Sequence, residues 1–371
     1  MNIKIFLLRI VNNRNYQLGI MAVLLVLGAI LVWLGVFYSI NNQPQIPQPE
    51  IAKINTNTNK HIVPKKYYRL TDGVETDKNK TNRFPLAVMI ENLASSEVRP
   101  QSGLNDAEIV YEVIVEGGIT RFLAIYSSET EIKKIGPVRS ARNTFLEFVS
   151  EYDALYIHAG GSPNALQAID GLKINDCSGL SSDGRFYWRD QQFFAPHNLF
   201  TSSQLLTYAL RDKNLLSLNS NFTSWQFKND EDENSKIENS KLINNIEIDF
   251  SEPNYAVKWE YNPKKNNYLR LNGGQKHTDA LTGKQLTAKN VIIEIVPPAT
   301  SIDDEGRVDF SVTGSGPAII FQDGKKISGT WEKSSRTERT LYFNESHKEI
   351  EFNRGKIWIE ILPADRSYTT S

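Results

Sequence analysis

An uninterrupted apolar segment near the N-terminus constrains this chain more than any other feature. Residues 18–40 contain no charged side chain, and Lys4, Arg9 and Arg14 precede them. Twenty-three helical residues, at about 1.5 Å each, cover the roughly 30 Å hydrocarbon core of a bilayer. Basic residues before such a segment favour a cytoplasmic N-terminus. The sequence therefore predicts residues 1–17 in the cytoplasm, a transmembrane helix at 18–40, and the bulk of the chain outside the cell.

A cleaved signal peptide is the main alternative to this anchor. Its apolar region is usually about 7 to 15 residues long and ends at a small-residue cleavage site. No such site follows Ile40, and no lipid-accepting cysteine follows the segment either. We therefore expect a single-pass signal anchor in the cell membrane, with the helix itself as the tether.

Composition excludes some classes of function. The chain has 42 basic and 43 acidic residues, and this balance argues against nucleic acid as a partner. Its one cysteine, Cys177, cannot form an internal disulfide, so packing must stabilise the folded part. The five histidines are widely spaced and form no local ligand pattern, so we predict no metal site and no cofactor.

Polar segments divide the rest of the chain. Residues 41–66 are rich in Asn, Gln, Pro and Thr and predict a disordered spacer. A second polar segment at 213–245, with four consecutive acidic residues from Asp230, predicts a linker or surface insertion. Two domains are therefore expected, at 67–212 and at 246–365.

The two domains differ in their predicted secondary structure. In the first domain, β-branched and aromatic runs predict strands, and 3.6-residue periodicity predicts helices, with Ser140 and Ser162 as caps. The second domain contains only short apolar runs between Gly, Asn and Pro turns. We expect an α+β N-terminal domain with a mixed sheet and packed helices, and a mainly antiparallel β C-terminal domain. The predicted strands of the first domain are 85–91, 108–116, 119–127 and 154–158, and its helices are 140–152, 163–169 and 202–212. The predicted strands of the second domain are 246–250, 255–261, 267–271, 290–296, 317–321, 340–343 and 356–362.

Gly117-Gly118 predicts a two-residue hairpin loop that places Ile114 opposite Arg121. That register puts Glu112 and Glu116 on the same face as Arg121. The two carboxylates would be about 13 Å apart, too far for the pair that cleaves glycosides. A charge-balanced, partly solvated face is the simpler interpretation.

The segment GPVRSAR (136–142) is the strongest binding-site signal in the chain. It delivers Arg139 and Arg142 to the predicted start of a helix capped by Ser140, where free N–H groups and the helix dipole favour anions. Alternatively, both arginines pair with internal acids such as Glu91 or Glu116.

Catalytic signals are incomplete. Gly160-Gly161-Ser162-Pro163 resembles a nucleophile elbow, but proline lacks the N–H that an oxyanion hole needs, so Ser162 is better interpreted as a helix cap. His158 could line a cleft or make a core hydrogen bond. A reactive Cys177 is disfavoured, because its neighbours do not match the order of residues around the cysteine of L,D-transpeptidases.

Several long strings resemble the YerB-like family of envelope proteins from Gram-positive bacteria. They include VRPQSGLNDAEIVYEVIVEGGITRFLAIY, GPVRSARNTF, HAGGSPNALQAI, WRD and APHNLFTS, and in the second half YLRLNGGQKHTDALTGKQLTAKNVIIE and ISGTWEK. The resemblance implies a two-part domain of unknown function. Members of the family are often lipoproteins, whereas a transmembrane helix is predicted here. The residues that carry the shared motifs are Arg99, Glu116, Arg121, Arg139, Arg142, His158, Arg189, His197, Arg270, His277 and Asp279.

These observations favour a membrane-tethered extracytoplasmic protein that binds an anionic or glycan cell-wall component, or a wall-assembly partner, because arginine fits phosphate and carboxylate in a two-pronged manner. The predicted ligand-binding residues are Arg121, Arg139, Arg142, His158, Arg189 and His197. The alternative is a wall-modifying hydrolase or transferase, and whether the chain is an enzyme stays open. Its predicted acid and base groups are His158 or His197 beside Glu116 or Asp190.

Overall fold

The chain divides into two compact units, Met1–Pro64 and Lys65–Ser371. The computed structural model describes residues 14–41, 65–219, 221–230 and 242–371. The predicted cytoplasmic segment 1–17 and the predicted spacer 41–66 therefore lie almost entirely outside the described residues.

The described part of the first unit is one helix, α1 (Arg14–Asn41). Its side chains are described at positions 19, 21 and 23–39, and its large apolar side chains there are exposed. Within the described residues, no helix meets the length and apolarity needed to cross a bilayer. The predicted transmembrane helix at 18–40 is therefore not confirmed.

A mixed ten-stranded sheet is the centre of the second unit. Most of its strands are rich in β-branched and aromatic residues, and its central strands are buried on both faces. In spatial order the strands are β21 (Leu341–Asn344), β20 (Lys325–Lys333), β19 (Gly314–Gln322), β16 (Asn290–Val296), β23 (Ile357–Pro363), β4 (Ile109–Ile114), β5 (Thr120–Ser127), β3 (Pro85–Glu91), β6 (Leu155–His158) and β7 (Asp176–Ser178).

This sheet joins the two predicted domains. Strand β23 pairs in parallel with β4, with Ile357 opposite Ile109 and Glu360 opposite Glu112. The sequence left the arrangement of the two domains open, because parallel pairing between distant strands has no local signature. The two halves thus share one continuous set of backbone hydrogen bonds.

A second, six-stranded sheet is built from the C-terminal half. Its path is β14 (Gln275–Lys276), β13 (Asn267–Asn272), β12 (Val257–Asn262), β11 (Asn245–Asp249) and β24 (Ser367–Thr370), with β15 (Thr287–Ala288) also paired to β13. Four two-stranded sheets complete the described strands: β1 (Tyr67–Tyr68) with β2 (Glu75–Thr76), β8 (Trp188–Arg189) with β9 (Leu199–Phe200), β10 (Phe227–Lys228) with β22 (Phe352–Asn353), and β17 (Thr300–Ser301) with β18 (Val308–Asp309). All seven strands predicted in the second half are present.

The two faces of the ten-stranded sheet carry two apolar clusters. One cluster joins Val88, Phe122 and Trp358 to the six-stranded sheet through Trp259. The other joins Met89, Tyr111 and Leu123 to helices on the opposite face. The six-stranded sheet and the helices α2 (Asn143–Glu151) and α3 (Pro163–Gly171) therefore cover opposite faces of the central sheet.

Helices are present in all three regions where the 3.6-residue periodicity predicts them. Helix α3 is capped by Ser162, whose Oγ accepts a hydrogen bond from the N–H of Ala165, and α4 (Ser203–Asp212) is capped by Ser202. The predicted cap at Ser140 is wrong. Helix α2 begins at Asn143, and the hydroxyl of Ser140 donates instead to the carbonyl of Ala159. Five 3₁₀ turns are also described, at Lys78–Lys80, Leu104–Asp106, Glu116–Gly118, Ser182–Phe186 and Pro253–Tyr255.

The predicted hairpin register is also wrong, by one residue. Val113, and not Ile114, lies opposite Arg121. The loop is longer than two residues, because the N–H of Val115 donates to the carbonyl of Ile119 around the 3₁₀ turn. A one-residue shift moves each side chain to the other face of the strand. Glu112 therefore points into the core, away from the face of Arg121.

Part of the polar segment 213–245 is packed into the fold. Trp225 is 3% exposed, and its Nε1 donates to the carbonyl of Thr340. Strand β10 pairs with β22 just beyond it. The domain boundaries stay predictions, but the described residues of this segment contact the body of the fold.

Candidate functional site

Two clusters contain most of the motif arginines together with neighbouring polar residues. The first, here called the arginine face, consists of Arg121, Arg139, Arg142, His197, Glu91 and Glu116. The second, here called the junction network, consists of Asn92, Arg99, Gln101, Glu112, Arg270 and His277.

In the arginine face, Glu116 holds two arginines. Arg142 makes a two-pronged contact with its carboxylate, with Nε donating to Oε2 at 2.8 Å and Nη2 contacting Oε1. Arg121 lies 3.4 Å from the same carboxylate and donates to the carbonyl of Ser140 at 2.9 Å. Burial alone would raise the pKa of Glu116, but the hydrogen bonds and charges of Arg142 and Arg121 lower it to about 2. Glu116 is therefore an ionised structural partner at neutral pH.

Glu91 forms the other half of the arginine face. Its carboxylate lies 3.2 Å from Nε of Arg139 and 2.9 Å from Nδ1 of His197. Glu91 is the residue at the C-terminal end of β3 and is 3% exposed, whereas the side chains of Arg139 and His197 are about one-fifth exposed. The two predicted arginines thus lie on one face, each paired with an internal acid.

The predicted residue Arg189 makes a separate contact. It is exposed, and its Nη1 donates to Oδ1 of Asn198 at 2.6 Å. Asp190 contacts Nζ of Lys134, and this hydrogen bond lowers the pKa of the carboxyl. Neither Arg189 nor Asp190 contacts a histidine among the described residues.

His158 is completely buried, and both of its ring nitrogens are occupied. Nδ1 lies 2.7 Å from the carbonyl oxygen of Gly160, and Nε2 lies 3.2 Å from a carboxylate oxygen of Asp176. Both neighbours carry acceptor oxygens, so both ring nitrogens of His158 are engaged within the fold. A role of His158 as a base stays a prediction. Asp176 was missed by the sequence argument, because its partner lies eighteen positions away.

His197 keeps one ring nitrogen available. Its Nδ1 is held by Glu91, and its Nε2 has no hydrogen-bond partner among the described residues. Its acid is thus Glu91, and not the predicted Glu116 or Asp190. Cys177 is buried, which raises the pKa of its thiol to about 12 and disfavours a thiolate nucleophile.

The junction network connects the two halves of the fold. Arg270 on β13 contacts Glu112 on β4, and both side chains are completely buried. The guanidinium also lies 4.5 Å from the ring centre of Trp358. Next to this pair, burial and the charge of Glu112 raise the pKa of Glu360 well above its usual range, so Glu360 stays protonated. Arg270 therefore faces the carboxyl group of Glu112 in the buried interior.

Hydrogen bonds extend this pair toward the surface. Arg270 donates to Nδ1 of His277 at 2.8 Å, and Nε2 of His277 donates to Gln101 at 2.8 Å. Burial and the neighbouring cations lower the pKa of His277 well below its usual range, so its ring is neutral. Gln101 then donates to Oδ1 of Asn92 at 3.0 Å.

A sequence signal for this network does exist. Along β13, Tyr268, Arg270 and Asn272 are the inward positions of an alternating pattern. A charged residue at an inward position of a strand requires a buried partner. The identity of that partner, Glu112, cannot be found from local sequence because it lies 158 positions away.

Family comparisons cover both halves of the chain. Residues 70–216 match the model for "Protein of unknown function (DUF3048) N-terminal domain", and residues 246–359 match the model for its C-terminal domain. A curated relative, "Putative lipoprotein YerB" of Bacillus subtilis (strain 168), is 32% identical over 294 residues, which is 78% of this chain and 85% of the relative.

A solved structure agrees with this assignment. The crystal structure of the YerB protein from Bacillus subtilis superposes with a TM-score of 0.71 at 31% identity. The match covers 82% of this chain and 100% of that one. The similarity therefore extends over both sequence-matched halves and the fold that joins them.

Proposed function

Because this chain belongs to the YerB-like family of two-part DUF3048 proteins, we propose that it is an envelope protein that binds an anionic glycan component of the cell wall. The name of its relative, "Putative lipoprotein YerB", supports a position at the outer surface of the membrane. Here the apolar segment 18–40 would act as the anchor. Extraction of membranes with alkaline carbonate tests this: the chain should stay with the membrane, and release into the supernatant would contradict the anchor.

The observation that carries the proposal is the charge of the arginine face. Three guanidinium groups, those of Arg121, Arg139 and Arg142, share two carboxylates, so one positive charge is not neutralised by the described neighbours. Arg139 also has a buried Nε that makes an ion pair but no hydrogen bond of good geometry. A phosphate or carboxylate from a polymer could accept from the partly exposed end of the Arg139 guanidinium.

Sedimentation with purified cell-wall sacculi tests this binding. We would use the full-length chain in a neutral detergent, with sacculi that retain or lack teichoic acid. The double variant Arg139→Ala/Arg142→Ala should bind about tenfold more weakly, since it removes two ligand contacts.

A matched control removes the same net charge elsewhere. Arg185→Ala/Arg211→Ala changes two exposed arginines outside the arginine face and should bind like the unchanged chain. If both double variants lose binding equally, the interaction is non-specific attraction. If the unchanged chain does not sediment with any preparation, wall binding is wrong.

One observation favours a second candidate function, hydrolysis of a wall polymer. Glu91 orients His197 at 2.9 Å, as in acid–base sites where a carboxylate fixes the ring and the other nitrogen takes up a proton from water. Incubation with purified muropeptides or teichoic acid fragments tests this alternative. Product release that His197→Gln abolishes would support it, whereas equal release by both proteins, or none, would exclude His197 as the base.

A further inference from the structure

A concave surface with a different chemistry lies where the two halves meet. This junction cleft has a volume of ≈ 390 Å³ and is bounded by the loop at 94–100, by Asn254 and by the β13–β14 hairpin. The volume is within the range of small-molecule sites. Its described lining includes two cations, Arg99 and Lys276, and no carboxylate. The cleft is therefore positively charged.

Arg99 is held rigidly but is only partly used. Its Nε donates to Oδ1 of Asn92 at 2.9 Å, its Nη2 to the carbonyl of Asn92 at 2.8 Å, and its Nη1 to the carbonyl of Asn254 at 2.8 Å. A guanidinium has five N–H groups, so two remain available. Burial, together with the nearby charge of Arg270, lowers the pKa of Arg99 to about 10, even though Glu112 acts in the opposite direction. An anion in the cleft would stabilise the charged form of this partly buried guanidinium.

A second residue of the cleft, Asn272, requires a hydrogen-bond donor from a ligand, whereas Arg99 requires an acceptor. Asn272 is 4% exposed and lines the cleft, and its Oδ1 has no hydrogen-bond partner among the described residues. Its Nδ2 donates to Oδ1 of Asn92 at 2.9 Å.

The orientation of Asn272 is fixed by its neighbours. Arg99 can only donate, so Asn92 must present its Oδ1 to Arg99, and its NH₂ then lies toward Glu112. Rotating the amide of Asn272 would then bring two oxygens together. The unpartnered atom of Asn272 is thus an acceptor, which needs a hydroxyl or N–H donor from a ligand.

We propose that the junction cleft binds a small ligand with both an anionic group and a neighbouring hydroxyl, such as a sugar phosphate, a polyol phosphate or a sugar acid. The anionic group contacts Arg99 and Lys276, and the hydroxyl donates to Asn272. Neither group belongs to the arginine face, so this site does not depend on the proposed wall-polymer contact. The same chemistry occurs in free metabolites and at the ends of wall polymers.

Calorimetric titration of the full-length chain in detergent and phosphate-free buffer tests this ligand chemistry. The probes are glycerol 3-phosphate, propyl phosphate, inorganic phosphate and glycerol. Glycerol 3-phosphate should bind about tenfold more tightly than propyl phosphate, because only the former can donate to Asn272. Equal affinity for these two would overturn the hydroxyl contact, and binding of none of the phosphates at millimolar concentration would overturn the site.

Single-residue variants locate the binding. Lys276→Gln removes an exposed cation of the cleft and should weaken glycerol 3-phosphate binding about fivefold. Lys284→Gln removes an exposed cation outside the lining and should leave the affinity unchanged. Equal effects of the two variants would show that the anion binds elsewhere. Since neither side chain has a hydrogen-bond partner among the described residues, we expect both variants to fold.

Competition identifies the source of the ligand and separates the two proposals. If soluble teichoic acid displaces glycerol 3-phosphate, the cleft holds a polymer end, and if it does not, the cleft holds a free metabolite. Both results support the cleft. The variant Arg139→Ala/Arg142→Ala should keep its affinity for glycerol 3-phosphate, and a loss of that affinity would place the anion on the arginine face instead.

Discussion

The arginine face and the junction network are two arrangements that neutralise arginine side chains within one fold. Both place arginines beside carboxylates, but the arginine face pairs residues of the N-terminal half alone and remains partly exposed. The junction network pairs Arg270 of one half with Glu112 of the other, and both are completely buried. A partly solvated pair adds little stability, whereas a buried pair becomes costly once one partner is removed. The first cluster is therefore suited to exchanging partners, and the second to holding the halves together.

Removing one partner of the junction pair should have the largest effect. Arg270→Met leaves Glu112 buried without its paired cation and should lower the free energy of unfolding by about 3–5 kcal/mol. This loss is measured by urea denaturation, with tryptophan fluorescence as the signal of unfolding. Arg189→Met, at an exposed arginine, is the control and should change stability by less than about 0.5 kcal/mol. Similar losses in both variants would contradict the contrast between the clusters.

Glu294 is a buried carboxyl group without a close cation, and it offers a second test of how burial affects a charged group. Burial raises the pKa of Glu294 to about 8, although Tyr342 donates to it at 2.9 Å. Between pH 4.5 and 8 the folded state holds a proton that the unfolded chain has lost, so stability falls as pH rises.

Glu294→Gln removes this proton linkage. Relative to the unchanged chain, the variant should gain about 1.4 kcal/mol of stability for each pH unit above about 4.5, and the gain should level off near pH 8. Urea denaturation at several pH values measures the slope. The exposed Glu345→Gln is the control, and an equal slope there would show that Glu294 is not the titrating group.

The arginine face should respond to acid in the opposite direction. The arginines lower the pKa of Glu116 to about 2 despite its burial, so the ion pairs stabilise the fold above about pH 4.5 and are lost as pH falls through 2. Glu116→Gln should cost about 1–2 kcal/mol at neutral pH, after allowance for solvent screening, and nothing below pH 2. Acid titration by circular dichroism checks this. A cost independent of pH would mean that packing, and not charge, is lost.

The smallest expected effect belongs to a contact that is local in sequence. Ser162→Ala removes the cap of α3 and should lower stability by about 1 kcal/mol, while Ser162→Asp should retain most of it. Ser140→Asp would instead place a carboxylate against the carbonyl of Ala159 and should destabilise the fold. Thermal unfolding compares the three variants, and equal behaviour of the two aspartate variants would contradict these cap assignments.

Local patterns predicted the elements of this fold well. The run 85–91 forms strand β3 with the predicted bounds, and all seven runs of the second half form strands. Ser162 is a cap as predicted, and the helix predicted from Ser202 begins at Ser203. Each of these features depends on residues within a few positions of one another, where steric preferences and hydrogen bonds act directly.

Errors arose where a longer loop or a distant partner decides the outcome. The 3₁₀ turn at Glu116–Gly118 lengthens the hairpin loop and shifts the register, which turns Glu112 inward. Ser140 looked like a cap because the helix signal began there, but the backbone is still extended at Ala141 and Arg142, and the helix begins only at Asn143. The alternative that Arg139 and Arg142 pair with internal acids agrees with the geometry, while their role as ligand contacts stays a prediction.

The sequence by itself determined the family, the types of secondary structure and the residues that could carry charge chemistry, because these follow from composition, period and local strings. Only the tertiary structure decided which charges meet. The parallel pairing of β23 with β4 brings Glu360 beside Glu112, and the six-stranded sheet places Arg270 against both. Such contacts depend on the register between strands more than a hundred residues apart. That register determines which residue lies beside a buried charge and pairs with it.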